Sequence, residues 1–189
     1  MKMILASASP RRKQLLEMLG VELEILPAKG EETLPDGTPA EEAVRLLSRQ
    51  KAEEIAAGRG DAAPVVGADT VVELGGRILG KPASDREAFA MLRALSGRTH
   101  RVYTGVTVLY RGQSLSETEC TKVRFRDLSD DEIRRYIATG EPMDKAGAYG
   151  AQGLGSLFVE GLEGDFFNVM GLPLCRLGQM LDKLGVNLL

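Results

Sequence analysis

The sequence contains very little histidine and cysteine. Its 189 residues include one His and two Cys, and these three residues, His100, Cys120 and Cys175, lie far apart along the chain. A structural zinc site needs a cluster of such ligands and a disulfide framework needs several cysteines, so we expect neither. The sequence also offers no Ser–His or Cys–His set for nucleophilic catalysis.

Long apolar runs and a marked excess of charge are also missing. No run is long enough to span a bilayer, and the N-terminus lacks the apolar stretch of a signal peptide. We therefore expect a cytoplasmic protein without a membrane partner. The net charge of −3 indicates no broad basic surface, so nucleic acid is not an expected partner.

No internal repeat, low-complexity segment or linker divides the chain. A hydrophobic content of 43% and a charged content of 27% are ordinary for a globular protein. We expect residues 1–189 to form a single domain, and the sequence leaves open whether that domain has two lobes.

Strand and helix patterns alternate along the chain, which predicts an α/β fold. Three helix starts, at Thr38, Ser84 and Ser129, fit a capping box. Two long strand patterns joined by a short turn predict an antiparallel pair, and hence a mixed sheet. The predicted elements are a strand at 3–5, helices from Ser9 to Gly20 and from Thr38 to Gly58, strands at 65–74 and 77–79 joined by Gly75-Gly76, a helix from Ser84 to Gly97, strands at 101–110 and 114–125, a helix from Ser129 to Gly140, a hairpin of 157–160 with 166–170, and a helix from Pro173.

The first predicted helix carries two arginines at its N-terminus. Ser9 fits the N-cap and Pro10 the first helical position. Arg11 and Arg12 therefore lie where the helix dipole is positive and acidic residues are usual. This arrangement is favourable if an anion such as phosphate binds there. The alternative that the motif leaves open is a solvated basic turn.

Asp69 interrupts an apolar strand pattern that runs from Val65 to Val72. A carboxylate among apolar residues loses hydration energy unless it is paired or binds a cation. Gly67 and Ala68 leave space for a ligand beside it. We favour a functional carboxylate, and the alternative is a structural aspartate held by backbone N–H groups or an ion pair.

Two lysines have positions that suit an anion or an acid. Lys51 falls within the apolar stripe that Val44, Leu47 and Ile55 form on the second helix. An inward lysine normally needs an acid or a phosphate, although a lysine at the edge of the core can also extend to solvent. Lys81 follows a glycine in a stiff Gly-Lys-Pro turn, from which it could reach toward Asp69.

Further polar groups complete a set that suits phosphate chemistry. Glu31 and Glu32 lie in a polar loop, and a carboxylate there would suit Mg²⁺ if it faced Asp69. The small residues of 144–153 let the backbone approach a ligand, although the segment could also be a lid without chemistry. Cations, carboxylates and no protein nucleophile together suit metal-assisted hydrolysis of a phosphoanhydride by water.

Six segments stand out in order along the whole chain: Leu5–Arg12, Lys51-Ala52, Gly67–Thr70, Gly80–Pro82, Ser96–Arg98 and Asp144–Gly150. Together they resemble the Maf family of nucleoside triphosphate pyrophosphatases. The resemblance implies an elongated α/β fold with a mixed sheet, flanking helices and a central cleft, similar to inosine triphosphate pyrophosphatases. It also implies hydrolysis of a nucleoside triphosphate to the monophosphate and pyrophosphate with Mg²⁺ or Mn²⁺.

The resemblance assigns roles to individual residues. The catalytic aspartate of the family corresponds to Asp69, which also counts as a metal ligand together with Glu32. The family pattern at the latter position is Asp-Glu, where this chain has Glu31-Glu32. The positions that bind substrate and phosphate correspond to Ser7, Arg12, Lys51 and Lys81.

The resemblance also bears on substrate choice. A branch of the family that acts on 7-methyl-GTP carries Trp, Gln and Glu where this chain has Arg11, Thr70 and Gln152. These three residues resemble the dTTP/UTP branch, and modified pyrimidine nucleotides are a further candidate substrate. The family also suggests a homodimer and a link to cell division. A 7-methyl-GTP pyrophosphatase and a non-catalytic nucleotide-binding regulator of cell division therefore remain as alternatives.

Overall fold

The computed structural model describes residues 1–59 and 62–189. The strands are β1 (Lys2–Leu5), β2 (Glu22–Ile25), β3 (Val65–Leu74), β4 (Arg77–Leu79), β5 (Thr99–Tyr110), β6 (Gln113–Phe125) and β7 (Val159–Glu163). The α-helices are α1 (Pro10–Glu17), α2 (Ala40–Ala56), α3 (Asp85–Leu95), α4 (Asp130–Ala138), α5 (Phe166–Met170) and α6 (Leu174–Lys183). Short 3-10 helices are Glu141–Asp144, Ala146–Ala148 and Leu154–Phe158.

The strands of the described residues form one mixed sheet in the order β2-β1-β3-β5-β6-β7, with β4 paired to β3. Strand β1 runs parallel to both of its neighbours, whereas β3, β5, β6 and β7 pair antiparallel. The sheet confirms the predicted mixed α/β fold and the long antiparallel pair. No helix of the described residues has the length and apolar character needed to cross a membrane.

Strand β1 is short, and this creates the space for the site. It pairs with β3 only at Val65 and Val66, while β3 continues to Leu74 along β5. Before β4 joins at Val72, the edge of β3 from 67 to 71 is left without a neighbouring strand on that side. Its backbone carbonyl groups there need other hydrogen-bond donors.

Helices cover both faces of the sheet near this edge. On one face, α1 and α6 pack on Met3 and Leu5 of β1 and Val66 of β3. On the other face, α2 lies unusually close, because a Cβ at Gly67 would collide with the carbonyl oxygen of Ser48. Gly105 on β5 allows the same close approach. The alternation of side chains along β3 therefore directs every second residue toward α2.

A second core lies toward the other end of the long strands. It contains side chains from α3 and α4 together with aromatic residues around Phe125, Tyr149 and Phe158. The rings of these three residues pack edge to face, an arrangement that favours a well-defined packing. This core supports the chain segment that follows α4.

Several local predictions are confirmed. The Ser9 side chain accepts a hydrogen bond from Arg12 N, with Pro10 at the first helical position. Gly75 and Gly76 both have positive φ, as a two-residue hairpin requires. Ser129 forms a complete capping box with Glu132.

Other local predictions are wrong. Thr38 is not a helix cap, because α2 begins at Ala40 and the Thr38 hydroxyl donates to Pro35 O. At α3 only half of the capping box forms, since the Glu87 carboxylate accepts from Ala83 N. The hairpin predicted from 157–160 and 166–170 does not exist.

The second half of that predicted hairpin is helix α5, capped by the side chain of Asp165. The first half overlaps the 3-10 helix Leu154–Phe158 and the start of β7, which pairs with β6. A short apolar run fits a buried strand and a buried helix equally well, so the sequence pattern could not separate the two. The sequence patterns did not predict a strand at the position of β2.

Candidate active site

A cleft of about 700 Å³ opens beside the free edge of β3. Every site residue predicted from the sequence lines it, although these residues come from segments far apart in the chain. They are Ser7, Arg11, Arg12, Glu32, Lys51, Asp69, Thr70, Lys81 and Gln152. The volume lies in the range of pockets that bind a nucleotide-sized ligand.

Arg12 closes the free edge of β3. Its Nη1 donates to Ala68 O at 2.9 Å and to the Ser7 hydroxyl at 3.2 Å, and its Nη2 donates to Thr70 Oγ1 at 3.0 Å. Its Nε donates to Gly171 O at 2.8 Å, which ties the group to the end of α5. The guanidinium therefore turns from the helix end onto the sheet edge, where β1 has stopped.

All four of these Arg12 acceptors are neutral oxygens, so its charge contacts no anionic partner in the part of the chain that the structure describes. Burial lowers the pKa of Arg12, and the nearby Asp69 carboxylate partly opposes this shift; arginine nevertheless stays a cation. Among the described residues, Arg11, Arg12 and Lys81 form no ion pair with a carboxylate. Three cations that line one cleft and form no ion pair within the described residues favour the binding of a multiply charged anion.

Lys51 lies between two carboxylates on the opposite side of β3. Its Nζ contacts Asp69 Oδ1 at 2.5 Å and Glu32 Oε1 at 2.9 Å. The side chains of Lys51 and Asp69 are only 17% and 14% exposed, whereas that of Glu32 is 53% exposed. The inward lysine predicted from the helical stripe is thus present, and its partner in this structure is an acid.

Two adjacent residues of β3 contact two different cations. Asp69 shares its face with Gly67 and α2 and so meets Lys51, whereas Thr70 points to the opposite face and meets Arg12. We call the group Ser7, Arg12, Lys51, Asp69 and Thr70 the sheet wall. Four of its members lie on α1, α2 or β3, and Ser7 lies in the short link between β1 and α1. Each member makes at least one polar contact with another member.

Asp69 of the sheet wall and the nearby Glu32 are the two carboxylates that could hold a divalent cation. Both contact the Lys51 ammonium group, so both lie within reach of one region of the cleft. The described residues contain no group of three or more His, Cys, Asp or Glu side chains arranged to hold a metal. Mg²⁺ commonly combines one or two carboxylates with water and substrate phosphate oxygens, so the residues fit this ion.

The opposite side of the cleft is the segment 144–152, which we call the loop wall. Glu141 anchors it, because its carboxylate accepts from Tyr136 Oη at 2.8 Å and from the N–H groups of Leu154 and Gly155. Burial alone would raise the pKa of Glu141, but these hydrogen bonds lower it. Sequence reasoning missed Glu141, since an acid after a helix end has no distinctive pattern.

The loop wall is also joined to the turn that carries Lys81. Gly147 has a φ of +68° and donates its N–H to Gly80 O at 3.0 Å. A Cβ at this position would press against Val72. Ala148 next to it also has a positive φ of 59°, a strained conformation for a residue with a side chain.

Two charged residues of the loop wall bind each other. Lys145 is 14% exposed at its side chain and donates to Asp144 Oδ1 at 2.7 Å and to Glu141 O at 2.6 Å. The hydrogen bond from Lys145 lowers the pKa of Asp144. Both residues line the cleft, within the segment 144–153 that the sequence indicated as able to approach a ligand.

Gln152 is exposed and weakly held. Its Nε2 lies 3.4 Å from Gln14 Oε1, a long distance for a hydrogen bond. Its amide is therefore available to a ligand at the outer part of the cleft. Lys81 and Arg11 line the same cleft.

Tyr149, itself part of the loop wall, joins that wall to β5 through His100. Its hydroxyl is hydrogen-bonded to His100 Nε2 at 2.8 Å, and both residues are buried. Burial raises the pKa of Tyr149 and lowers the pKa of His100 to about 4. Within the described residues, the buried His100 Nδ1 has no hydrogen-bond partner, so the fold favours the neutral imidazole.

A protein-family model, that of Maf-like proteins, matches residues 2–184. The chain belongs to the Maf family. A relative from Pelotomaculum thermopropionicum, named dTTP/UTP pyrophosphatase, is 50% identical over an alignment of 190 positions that covers 100% of this chain and 99% of the relative. Another with the same name, from Geobacillus sp., is 53% identical over 188 residues, 97% of this chain and 98% of the relative.

Membership of the Maf family agrees with the resemblance seen in the sequence segments. A solved structure of a dITP/XTP pyrophosphatase from Mycobacterium abscessus is 17% identical, with a TM-score of 0.44. The match covers 97% of this chain and 94% of that one.

Proposed function

We propose that this chain hydrolyses dTTP and UTP to the nucleoside monophosphate and pyrophosphate. The observation that carries the proposal is the cleft itself, where Arg11, Arg12 and Lys81 form no ion pair within residues 1–59 and 62–189 and Asp69 lines the same cleft. A triphosphate would supply the missing negative charge. The names of the relatives that are about half identical over the full chain support the choice of substrate.

In the proposed reaction, water attacks the α-phosphorus and the bond to the bridging oxygen of the β-phosphate breaks. Pyrophosphate leaves with that bond pair, and the proton of the water goes to the Asp69 carboxylate. Arg12 and Lys81 would hold the phosphates, and Lys51 would orient Asp69 through their contact at 2.5 Å. Exclusion of water by the loop wall would strengthen these charge interactions.

We further propose that Asp69 and Glu32 hold Mg²⁺ or Mn²⁺. Such an ion supplies charge for the phosphate oxygens and lowers the pKa of a bound water. A homodimer and a cytoplasmic location remain expectations from the sequence.

The test is a panel of nucleotides with separate detection of pyrophosphate and orthophosphate. The panel contains dTTP, UTP, the purine triphosphates and 7-methyl-GTP, each with Mg²⁺, with Mn²⁺ and with a chelator. We expect pyrophosphate from dTTP and UTP, no turnover with the chelator, and recovery when metal is added. Binding without any product would favour the non-catalytic regulator, and preference for 7-methyl-GTP would favour the other branch.

A further inference from the structure

We propose that Thr104 is a positioning residue that holds the Arg12 guanidinium through Thr70 without touching the substrate. Thr104 is 0% exposed and lies directly opposite Thr70 in the pairing of β3 with β5. Their hydroxyl oxygens are 2.9 Å apart. The inference deepens the proposed function and rests on it for the role of Arg12 as a phosphate-binding residue.

The hydrogen bonds of this group have one possible direction. A carbonyl oxygen only accepts, so the Thr104 hydroxyl donates to Asn168 O at 3.0 Å. Thr104 Oγ1 must then accept from the Thr70 hydroxyl, whose own oxygen accepts from Arg12 Nη2 at 3.0 Å. Each hydroxyl has one hydrogen, and each hydrogen is used.

The end of this chain of hydrogen bonds is itself fixed. Asn168 is 0% exposed, and its Nδ2 donates to Val102 O at 3.0 Å and to Thr121 Oγ1 at 2.9 Å. The same part of the molecule provides Gly171 O for Arg12 Nε. Helix α5 therefore sets the guanidinium position twice, once directly through Gly171 and once through Thr104 and Thr70.

This arrangement changes the interpretation of Thr70. The sequence resemblance makes it a specificity residue, but its only hydrogen is committed to Thr104 and it already accepts from Arg12. Thr70 therefore influences the substrate mainly by placing Arg12. A residue of another shape at position 70 would move the guanidinium as well as the adjacent surface.

The substitution that isolates this role is Thr104→Val, which keeps the shape and removes the hydroxyl. The Thr70 hydroxyl then loses its acceptor and can rotate, so the acceptor for Arg12 Nη2 is no longer fixed. Loss of an ordered hydrogen bond to a charged group predicts about tenfold weaker binding of a polyphosphate. Thr104→Ser keeps the hydroxyl and should restore binding to within about twofold of the wild type.

The experiment measures the Kd of inorganic tripolyphosphate by calorimetry, and the KM and kcat for UTP, at a temperature where all variants are folded. The matched control is Thr107→Val. Thr107 is also 0% exposed on β5, but its hydroxyl bonds Ser48 and Ser116 and not the Arg12 group. We expect Thr104→Val to raise Kd and KM about tenfold with a smaller change in kcat, and Thr107→Val to change neither appreciably.

A double-mutant cycle decides whether the effect passes through Arg12. In an Arg12→Ala background, Thr104→Val should weaken tripolyphosphate binding no further. Equal effects of Thr104→Val and Thr107→Val, or losses that add fully to that of Arg12→Ala, would overturn the inference while leaving the activity established. Tripolyphosphate binding with the expected cycle but no UTP hydrolysis would overturn only the proposed function. Absence of tripolyphosphate binding by the wild type would overturn the role of Arg12 and this inference together.

Discussion

The two walls of the cleft hold their polar groups in different ways. On the sheet wall, Arg12 makes four hydrogen bonds and Asp69 contacts a lysine at 2.5 Å. On the loop wall, Lys145 is also held by two hydrogen bonds, but Gln152 is exposed and its amide lies 3.4 Å from Gln14 Oε1. The loop wall is built from short 3-10 helices around a residue of positive φ, Ala148.

This difference separates two tasks of a nucleotide pyrophosphatase. The triphosphate is common to all its candidate substrates. Stabilising the charge that develops on it requires side chains that are already held in position, as on the sheet wall. The base distinguishes one substrate from another, and the weakly held amide of Gln152 is suited to contact the base. Changes on the sheet wall should therefore lower the rate for every substrate, whereas changes on the loop wall should alter the ratio between substrates.

The largest effect is expected from Asp69→Asn. The amide keeps the shape but loses the charge and basicity, so kcat for dTTP should fall by about two or more orders of magnitude. Steady-state kinetics with the folded variant provide the measurement. Asp144→Asn is the matched control on the loop wall, and it should lower kcat much less than Asp69→Asn does. A similar decrease of kcat in both variants would contradict the proposed difference between the two walls.

A smaller loss is expected from Arg12→Ala and Lys51→Ala. Each removes a cation of the sheet wall, and we expect kcat/KM to fall by about tenfold or more for all substrates, with a smaller effect on stability. Loss of Lys51 also leaves Asp69 beside Glu32 without the cation between them. Kinetics and thermal unfolding are measured together.

Lys13→Ala is the control for a cation of the same helix end, since Lys13 is exposed and pairs with Glu17. Unchanged kcat/KM in Lys51→Ala would make that lysine purely structural. A loss in Lys13→Ala equal to that in Arg12→Ala would show a general charge effect.

Gln152→Glu should change selectivity more than rate. The carboxylate accepts hydrogen bonds but cannot donate them, so a base edge that needs a donor loses its partner, at a cost on the order of 1–3 kcal/mol. The kcat/KM for dTTP should fall relative to that for 7-methyl-GTP in a competition assay. An unchanged ratio between the two substrates would exclude Gln152 from the base site.

The smallest effect is expected on the free energy of unfolding as the pH falls, through the buried His100 that supports the loop wall. His100 has a pKa of about 4 in the fold because of burial, below the ordinary value of about 6.5 in the unfolded chain. The unfolded chain therefore binds more protons between these values, and stability decreases as pH falls through this window. From pH 7 to pH 5 the loss should be about 2 kcal/mol.

Urea unfolding at both pH values measures this loss. His100→Asn removes the titrating ring and should flatten the dependence over that range, where most carboxylates stay ionised. An equal decrease in the wild type and the variant would assign the pH dependence to other groups.

Local signals in the sequence predicted several elements correctly. Ser9 and Pro10 begin α1 because capping depends on neighbouring residues only. The glycine pair at 75–76 gives a hairpin for the same reason. The inward position of Lys51 follows from helical spacing, and the mixed sheet follows from the strand patterns.

Contacts between distant parts of the chain escaped prediction. Phe166–Met170 is apolar in a way that suits strand and helix alike, and the cap from Asp165 and the hydrogen bonds of Asn168 make it a helix. The anchor Glu141 and the buried hydroxyl of Thr104 have no pattern of their own.

Local patterns had already indicated Arg12, Asp69 and Lys51 as candidate site residues, whereas Ser7 and Thr70 were assigned only through the family resemblance. The roles of all of them stay predictions.

The sequence by itself determined which residues carry charge, which positions cap and turn, and which side of a helix or strand each residue occupies. These properties depend on side-chain chemistry and on periods of a few residues. Only the tertiary structure decided that β1 stops early and that Arg12 fills the edge it leaves, bound to Gly171, 159 residues away in the chain. The reason is physical: the direction of a long side chain follows from acceptors that other segments bring to it, and local sequence does not encode their positions.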